Sequence, residues 1–329
     1  SAPDLAVVAT PPATVPGVIA DLARHGTRAA VVITAGIDSD LRQRMLDAAR
    51  PHCLRVLGPN CIGLILPKLG LNASFAHMMP RKGDLAFLSQ SGALVTAVID
   101  WAGGRGIGFS KVVSMGEMAD VDFGDTLDYL AGDPESRAIL LYVEQVTNAA
   151  KFMSAARRAA RAKPVIVLKS GRHEAGAKAA HSHTGALSGS DAVYDAAFRR
   201  AGLVRVQDLE GLFEAAEILS FPPHLPGERL AILTNGGGAG VLAVDRLEDY
   251  DGTLAELSAA TIEKLNAVLP ATWSKGNPVD IIGDAGPGRY EAAMRALLEE
   301  PNADAILVIN ARRRPDRRRS CSSVIARAR

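Results

Sequence analysis

Short apolar runs alternate with longer amphipathic stretches along most of the 329 residues. The first run, Asp4–Ala9, is followed by an amphipathic stretch over 14–25, and the same order recurs as far as Ala305–Asn310. Strands that alternate with helices pair in parallel, because each helix returns the chain to the starting end of the sheet. The pattern therefore predicts an α/β chain of consecutive doubly wound domains with parallel sheets.

Breaks in this alternation predict the domain boundaries. We expect the later part of a domain over 1–75, a whole domain with five strand–helix units over 80–222, and an incomplete domain over 228–310. An irregular stretch at Lys68–Lys82 and a proline-rich linker at Phe221–Gly227 separate them. The arginine-rich segment 311–329 departs from everything before it. We interpret it as a truncation or reading-frame artefact rather than as a nucleic-acid-binding tail.

The composition narrows the class of protein. A formal net charge of +1 provides no general field that would attract nucleic acid or an anionic membrane. The three cysteines, Cys53, Cys61 and Cys321, are widely spaced and predict neither a disulfide framework nor a metal site. No apolar run approaches the length that spans a bilayer. These features favour a cytoplasmic globular protein that binds small molecules.

Three strand-to-helix connections are rich in small or glycine residues: the turn Ser89-Gln-Ser-Gly-Ala93, the turn Thr234-Asn-Gly-Gly-Gly-Ala-Gly240 and the loop Ser170–Ser190. Each could hold a phosphate at a helix N-terminus, although tight packing alone also requires small residues at such turns. Val241 stands where a dinucleotide fingerprint needs its third glycine, and no Gly-Lys dipeptide provides a P-loop. Both familiar nucleotide motifs are therefore absent, and we expect ATP to bind elsewhere or to another chain.

The loop Ser170–Ser190 is longer than most connections of its kind and contains His173, His181 and His183. A metal site at these histidines lacks further ligands, so they are either exposed residues without a task or a nucleophile. A histidine nucleophile needs an acceptor for its second ring nitrogen. Glu144 ends a predicted strand at the same sheet edge, which makes it the candidate partner, unless it is simply a solvated strand-end carboxylate.

Taken together, Gly58-Pro-Asn-Cys61, Ser89–Ala93, Leu141-Tyr-Val-Glu144, Lys169-Ser-Gly-Arg172, Ser182-His-Thr-Gly185 and Thr234–Gly240 resemble the ADP-forming acetate–CoA ligase family, a relative of succinyl-CoA synthetase. The order and spacing of these motifs match from about residue 1 to 310. The resemblance implies Rossmann-like and flavodoxin-like domains. It also implies a reaction that interconverts acyl-CoA, phosphate and ADP with a free acid, CoA and ATP through an acyl phosphate and a phosphohistidine.

The same resemblance implies roles for individual residues. His183 corresponds to the phosphorylated histidine and Glu144 to the carboxylate that orients it. Ser91 and Gly92 open one helix that faces the phosphate, and Gly237 and Gly238 open a second. Pro11, Pro12 and Asn60 represent what remains of the coenzyme A site, because the family's first glycine-rich turn is absent here.

The resemblance also implies partners. ATP or ADP with Mg²⁺ would bind an ATP-grasp part, either a separate subunit or a fused domain, that this chain lacks. We expect short acyl-CoA and phosphate as substrates, an oligomeric assembly, and no metal held by the chain itself. The alternative interpretation is an acetyl-CoA-binding regulatory region of a protein lysine acetyltransferase. The intact Ser182-His-Thr-Gly185 motif favours catalysis over that alternative.

Overall fold

The protein is described by a computed structural model that covers residues 2–173, 190–220, 225, 227–311 and 323–326. The chain divides into two compact units, Ser1–Phe221 and Pro222–Arg329. Across these residues no helix combines the length and the apolar character needed to cross a bilayer.

A small parallel sheet occupies the beginning of the first unit. Its strands are β1 (Leu5–Val8), β2 (Ala29–Val32) and β3 (Arg55–Leu57), and they lie in the order β1-β2-β3. Two helices connect them, α1 (Val15–Arg24) and α2 (Ser39–Ala49). Apolar side chains from both helices and all three strands form a buried cluster of their own. Since the strands are parallel, the turns that follow them all lie at one edge of the sheet.

The larger sheet of this unit is mostly parallel. Its strands are β4 (Gly63–Leu66), β5 (Leu71–Ser74), β6 (Lys82–Ser89), β7 (Phe109–Ser114), β8 (Ala138–Val143), β9 (Val165–Lys169) and β10 (Val204–Val206). They lie in the order β10-β9-β8-β6-β7-β4-β5, and β6 to β10 are parallel. The strands β4 and β5 form an antiparallel hairpin that adds to β7. The stretch Lys68–Lys82, predicted to be irregular, therefore contributes the strand β5 to the sheet.

Helices cover both faces of this sheet. They are α3 (Gly92–Gly103), α4 (Phe123–Ala131), α5 (Ala149–Ala162), α6 (Asp191–Ala201) and α7 (Leu209–Ser220). Side chains of a strand point alternately to opposite faces. Accordingly, Ala86 and Leu88 pack in a cluster with α4, α5 and α6, whereas Leu85 and Phe87 pack in a second cluster with α3 and α7. Two apolar layers thus fix the strand ends that form the candidate site.

The second unit is built around a third sheet. Its strands are β11 (Arg229–Thr234), β12 (Thr253–Leu254), β13 (Val279–Asp280), β14 (Ala305–Ile309) and β15 (Ser323–Ala326), and its helices are α8 (Gly237–Asp249), α9 (Ala259–Val268) and α10 (Pro287–Leu298). The strands β12, β13 and β14 pair in parallel with β11. The strand β15 pairs antiparallel with β14, so part of the arginine-rich segment joins this sheet.

Candidate active site

The turn between β6 and α3 places the first predicted phosphate-binding residues at the carboxyl edge of the large sheet. Ser91 is the N-cap of α3, and its hydroxyl oxygen accepts a hydrogen bond from the backbone N–H of Leu94 at 3.3 Å. Gly92 is the first helical residue. A side chain at Gly92 would bring its Cβ within 2.6 Å of Ile62 Cγ2, so glycine permits the close packing here. The first turn of a helix carries unpaired N–H groups and the positive end of the dipole, which suits an anion.

Glu144 follows directly after β8, one strand away from that helix start, and is half-buried. Its backbone N–H donates to Gln90 Oε1 at 2.6 Å, and the N–H of Gln145 donates to the same oxygen at 2.9 Å. Burial raises the pKa of the neighbouring Tyr142, and the negative charge of Glu144 raises it further. The carboxylate predicted to orient a histidine is therefore part of an ordered turn beside α3.

Lys169 places a positive charge at the same edge. It ends β9 in register with Val143, is only 2% exposed, and its ammonium donates to the carbonyl oxygen of Ser170. The ammonium also lies 4.6 Å from the ring centroid of Tyr194 on α6, within the range of a cation–π contact. Burial lowers the pKa of Lys169, and the charges of Asp191 and Glu144 partly offset this effect. The motif Lys169-Ser-Gly-Arg172 includes this cation, but its burial could not be predicted from the sequence.

His183 and His181 belong to 174–189, which lies outside the described residues, so the pairing of His183 with Glu144 stays a prediction. Both flanks of that segment are held by the region around β10. On one flank Arg172 donates to Gln207, directly after β10. On the other flank Arg205 of β10 binds the carboxylates of Asp191 at 2.5 Å and Asp195 at 3.2 Å.

The candidate coenzyme A residues lie at the carboxyl edge of the small sheet. Pro11 and Pro12 follow β1, and the Cγ atom of Pro12 would lie 3.9 Å from a Cβ added to Gly36, in the segment after β2. Asn60 follows β3 with a φ of 56°, and its side-chain amide donates to Glu117 Oε1 at 3.3 Å. The three residues thus share one sheet edge, where open α/β sheets bind their ligands.

The other two predicted phosphate-binding residues begin a helix of the second unit. Gly236 is the N-cap of α8, and Gly237 and Gly238 are its first two residues. A Cβ on Gly237 would lie 2.9 Å from Asp280 Oδ2, whereas a Cβ on Gly238 would meet nothing within 4 Å. Gly238 therefore presents an open approach to the helix N-terminus. Asp280, whose carboxylate lies beside Gly237, was not among the residues predicted from the sequence.

Comparisons with known proteins identify the family. Family models match three consecutive stretches of the chain: a CoA binding domain over 1–67, a succinyl-CoA ligase like flavodoxin domain over 82–219, and a ligase-CoA domain over 230–311. The α subunit of acetate–CoA ligase (ADP-forming) II from Pyrococcus furiosus is 37% identical over 313 residues, which cover 93% of this chain and 68% of that subunit. The chain belongs to the ADP-forming acetate–CoA ligase family.

Two further relatives extend this assignment. Acetate–CoA ligase (ADP-forming) I of Archaeoglobus fulgidus is 42% identical over 312 residues, which cover 93% of this chain and 45% of that protein. The chain therefore spans less than half the length of that ligase. The solved acetyl-coenzyme A synthetase 1 of Ca. Korarchaeum cryptofilum, in complex with phosphate and ADP, superimposes with a TM-score of 0.89 at 38% identity. That match covers 94% of this chain and 68% of the other.

Membership of the ADP-forming acetate–CoA ligase family confirms the resemblance drawn from the motifs, and the structural match confirms the α/β fold with mostly parallel sheets. Each of these relatives is named as a ligase or a synthetase. They give no support to the acetyl-CoA-binding regulatory region of an acetyltransferase.

Proposed function

We propose that this chain is the CoA-binding and phosphohistidine-carrying part of an ADP-forming acyl-CoA synthetase. The whole enzyme would interconvert acyl-CoA, phosphate and ADP with a carboxylic acid, CoA and ATP. The observation that supports this most strongly is the position of Glu144. It lies at the carboxyl edge of β8, between the start of α3 and the end of β9 that leads into the segment with His183.

The reaction divides into steps that need no redox chemistry. An oxygen of phosphate attacks the thioester carbonyl carbon, the C–S bond breaks, and CoA leaves, giving an acyl phosphate. A ring nitrogen of His183 then attacks the phosphorus, the P–O bond to the acyl group breaks, and the carboxylate leaves. Finally, a β-phosphate oxygen of ADP attacks the phosphorus and the P–N bond breaks, which gives ATP and free histidine. The first step transfers the acyl group to phosphate, and the next two transfer the phosphoryl group, first to histidine and then to ADP.

The charges around Glu144 suit the second of these steps. As the nitrogen of His183 attacks, its ring becomes positive, and a carboxylate on the other nitrogen stabilises that charge. The transferred phosphoryl group is negative and gains from the N–H donors at the start of α3. The buried ammonium of Lys169 adds a positive charge in low-dielectric surroundings. The same site would thus stabilise both the positive charge on the histidine ring and the negative charge on the phosphoryl group.

The proposal also covers the part of the enzyme that binds the nucleotide and the kind of acyl group that reacts. The Pyrococcus relative is named as an α subunit, which supports an ATP-grasp partner, as a subunit or a fused domain, that binds ATP or ADP with Mg²⁺. Among the described residues no three or more His, Cys, Asp or Glu side chains are placed to hold a metal, and the Mg²⁺ of this proposal comes with the nucleotide. We propose short acyl-CoA as the substrate and an oligomeric assembly.

Phosphorylation by labelled ATP tests this function. Supplied with an ATP-grasp subunit and γ-labelled ATP, the chain is expected to take up phosphate that is lost in acid and kept in base, as a phosphoramidate is. His183→Asn removes the nucleophile and should abolish the label, whereas the control His181→Asn should keep most of it. Glu144→Gln should slow labelling, because the amide keeps the shape of the side chain but loses its charge. A His183→Asn protein that labels like the parent refutes the proposal.

A further inference from the structure

Gln90 joins the two parts of the candidate site. It lies between the last residue of β6 and Ser91, the N-cap of α3. Its backbone N–H donates to the carbonyl oxygen of Tyr142 in β8 at 3.2 Å. Its side-chain oxygen accepts from the N–H groups of Glu144 at 2.6 Å and Gln145 at 2.9 Å. One residue therefore links the start of α3 to the turn that carries the Glu144 carboxylate.

The side chain of Gln90 continues the hydrogen bonding of the sheet beyond the ends of its strands. The pairing of β6 with β8 ends at Ser89 and Tyr142, and just beyond it the N–H groups of Glu144 and Gln145 bond to the Gln90 amide oxygen. An amide oxygen has two lone pairs and can accept both bonds. Gln90 is 9% exposed and Glu144 and Gln145 are half-buried, so loss of this acceptor would remove one hydrogen bond from each of their N–H groups at a cost in stability.

Tyr194 of α6 contacts the same turn. Its hydroxyl oxygen accepts a hydrogen bond from the N–H of Val146 at 3.2 Å. Its ring lies 4.6 Å from the Lys169 ammonium. The backbone over 144–146 is thus held at one end by a residue beside α3 and at the other by a residue of α6.

We propose that Gln90 and Tyr194 are positioning residues that fix the Glu144 carboxylate relative to the N-terminus of α3. This inference rests on the proposed function, in which Glu144 orients His183 and α3 binds the phosphoryl group. The hydrogen bonds of Gln90 then keep the two charged elements in one fixed arrangement. A small displacement of a catalytic group slows a reaction strongly. The hydrogen bonds that hold the backbone beside Glu144 should therefore affect the rate.

Gln90→Met tests this role, because methionine keeps the length of the side chain and lacks the amide acceptor. We expect the rate of His183 labelling by ATP and an ATP-grasp subunit to fall about 10- to 100-fold. The matched control is Gln43→Met on α2, where the exposed amide donates to Asp47 at 2.7 Å. That control should label at the parent rate.

A double-mutant cycle separates positioning from general damage. If Gln90 acts through Glu144, the protein with both Gln90→Met and Glu144→Gln should label no more slowly than Glu144→Gln alone. Tyr194→Phe provides a second arm that does not depend on the folding of Gln90→Met. It removes the acceptor for Val146 and keeps the ring beside Lys169, and Tyr250→Phe, an exposed tyrosine of the second unit, is its control.

The outcomes distinguish this inference from the function on which it rests. Two results overturn the positioning role and leave the proposed function in place. In the first, the losses in labelling rate of the two single variants multiply in the double variant. In the second, the Gln90→Met protein labels His183 at the parent rate. Labelling that no longer requires His183 overturns the proposed function and the positioning role together. A slowed Gln90→Met protein with no further loss in the double variant supports the role.

Discussion

Gly238→Ala should stabilise the second unit and at the same time weaken its proposed phosphate site. Gly238 is exposed in the first turn of α8, and an added Cβ would have no heavy atom within 4 Å. Alanine therefore fits the helical backbone without strain. It restricts the unfolded chain, so the free energy of unfolding should rise by about 0.4–1 kcal/mol.

In the phosphate site that the resemblance implies at the start of α8, the same methyl group would lie where the phosphoryl group approaches the N–H donors. Losing one charge-assisted hydrogen bond costs about 1.5–3 kcal/mol, which corresponds to a labelling rate lower by roughly tenfold or more. Urea unfolding followed by the fluorescence of Trp273, buried in the same unit, in a Trp101→Phe background measures the stability. Labelling of His183 by ATP measures the function.

Gly17→Ala is the matched control. Gly17 is also an exposed glycine in the first turn of a helix, α1, and its Cβ would meet nothing within 4 Å. Followed by the fluorescence of Trp101, which lies in the first unit, in a Trp273→Phe background, the free energy of unfolding of Gly17→Ala should rise by a similar amount, with no change in labelling. If Gly238→Ala labels at the parent rate, the start of α8 does not bind the phosphoryl group. If Gly238→Ala unfolds at a lower urea concentration than the parent, alanine does not fit at this position without strain.

Three further predictions concern stability. Lys111→Met removes the ammonium that donates to Asp133 at 2.7 Å and to Glu135 at 3.1 Å, and leaves a buried carboxylate, so the free energy of unfolding in urea should fall by about 3–5 kcal/mol. Burial alone would raise the pKa of Asp133, but hydrogen bonds from Lys111 and Ser136 outweigh it and lower that pKa. The parent should therefore lose stability as the pH falls from the ordinary carboxyl range through this lowered pKa, and Asp133→Asn should flatten that acid dependence. The backbone φ at Gly63 is 113°, and the Cβ that Gly63→Ala adds would lie 2.1 Å from the carbonyl oxygen of Ala73. Gly63→Ala should therefore destabilise the protein more than the control Gly70→Ala. At Gly70 the φ of 69° costs alanine about 1–2 kcal/mol, and the added Cβ meets nothing within 4 Å. Equal losses of stability would contradict the steric argument.

The sequence predicted the parallel strands of the large sheet well, because they are buried on both faces and read as continuous apolar runs. The strand predicted over Ile139–Glu144, for example, is observed as Ala138–Val143. The hairpin of β4 and β5 was missed. Its residues have no strong alternation, and its place beside β7 depends on pairing with Val112 and Val113, far along the chain. The strand β15 was missed because its arginine-rich surroundings resemble no strand.

The site was predictable only in part. Glu144 and Gly92 follow parallel strands, so their position at one sheet edge follows from chain order. The parts played by Gln90 and Tyr194 could not be predicted. Gln90 reaches a turn 54 residues away and Tyr194 one that is 48 residues away. Such contacts depend on side-chain length and on the angle at which a helix packs, which no local pattern encodes.

Transfer from an acyl phosphate tests the central claim most directly, because it needs neither nucleotide nor ATP-grasp partner. The chain is incubated with acetyl phosphate labelled in its phosphoryl group, and the labelled peptide is mapped under basic conditions that preserve phosphohistidine. We predict a single acid-labile label on His183, slowed by Glu144→Gln and lost in His183→Asn. A label on another residue, or a His183→Asn protein that labels as the parent does, would contradict the assignment of His183 as the phosphoryl carrier.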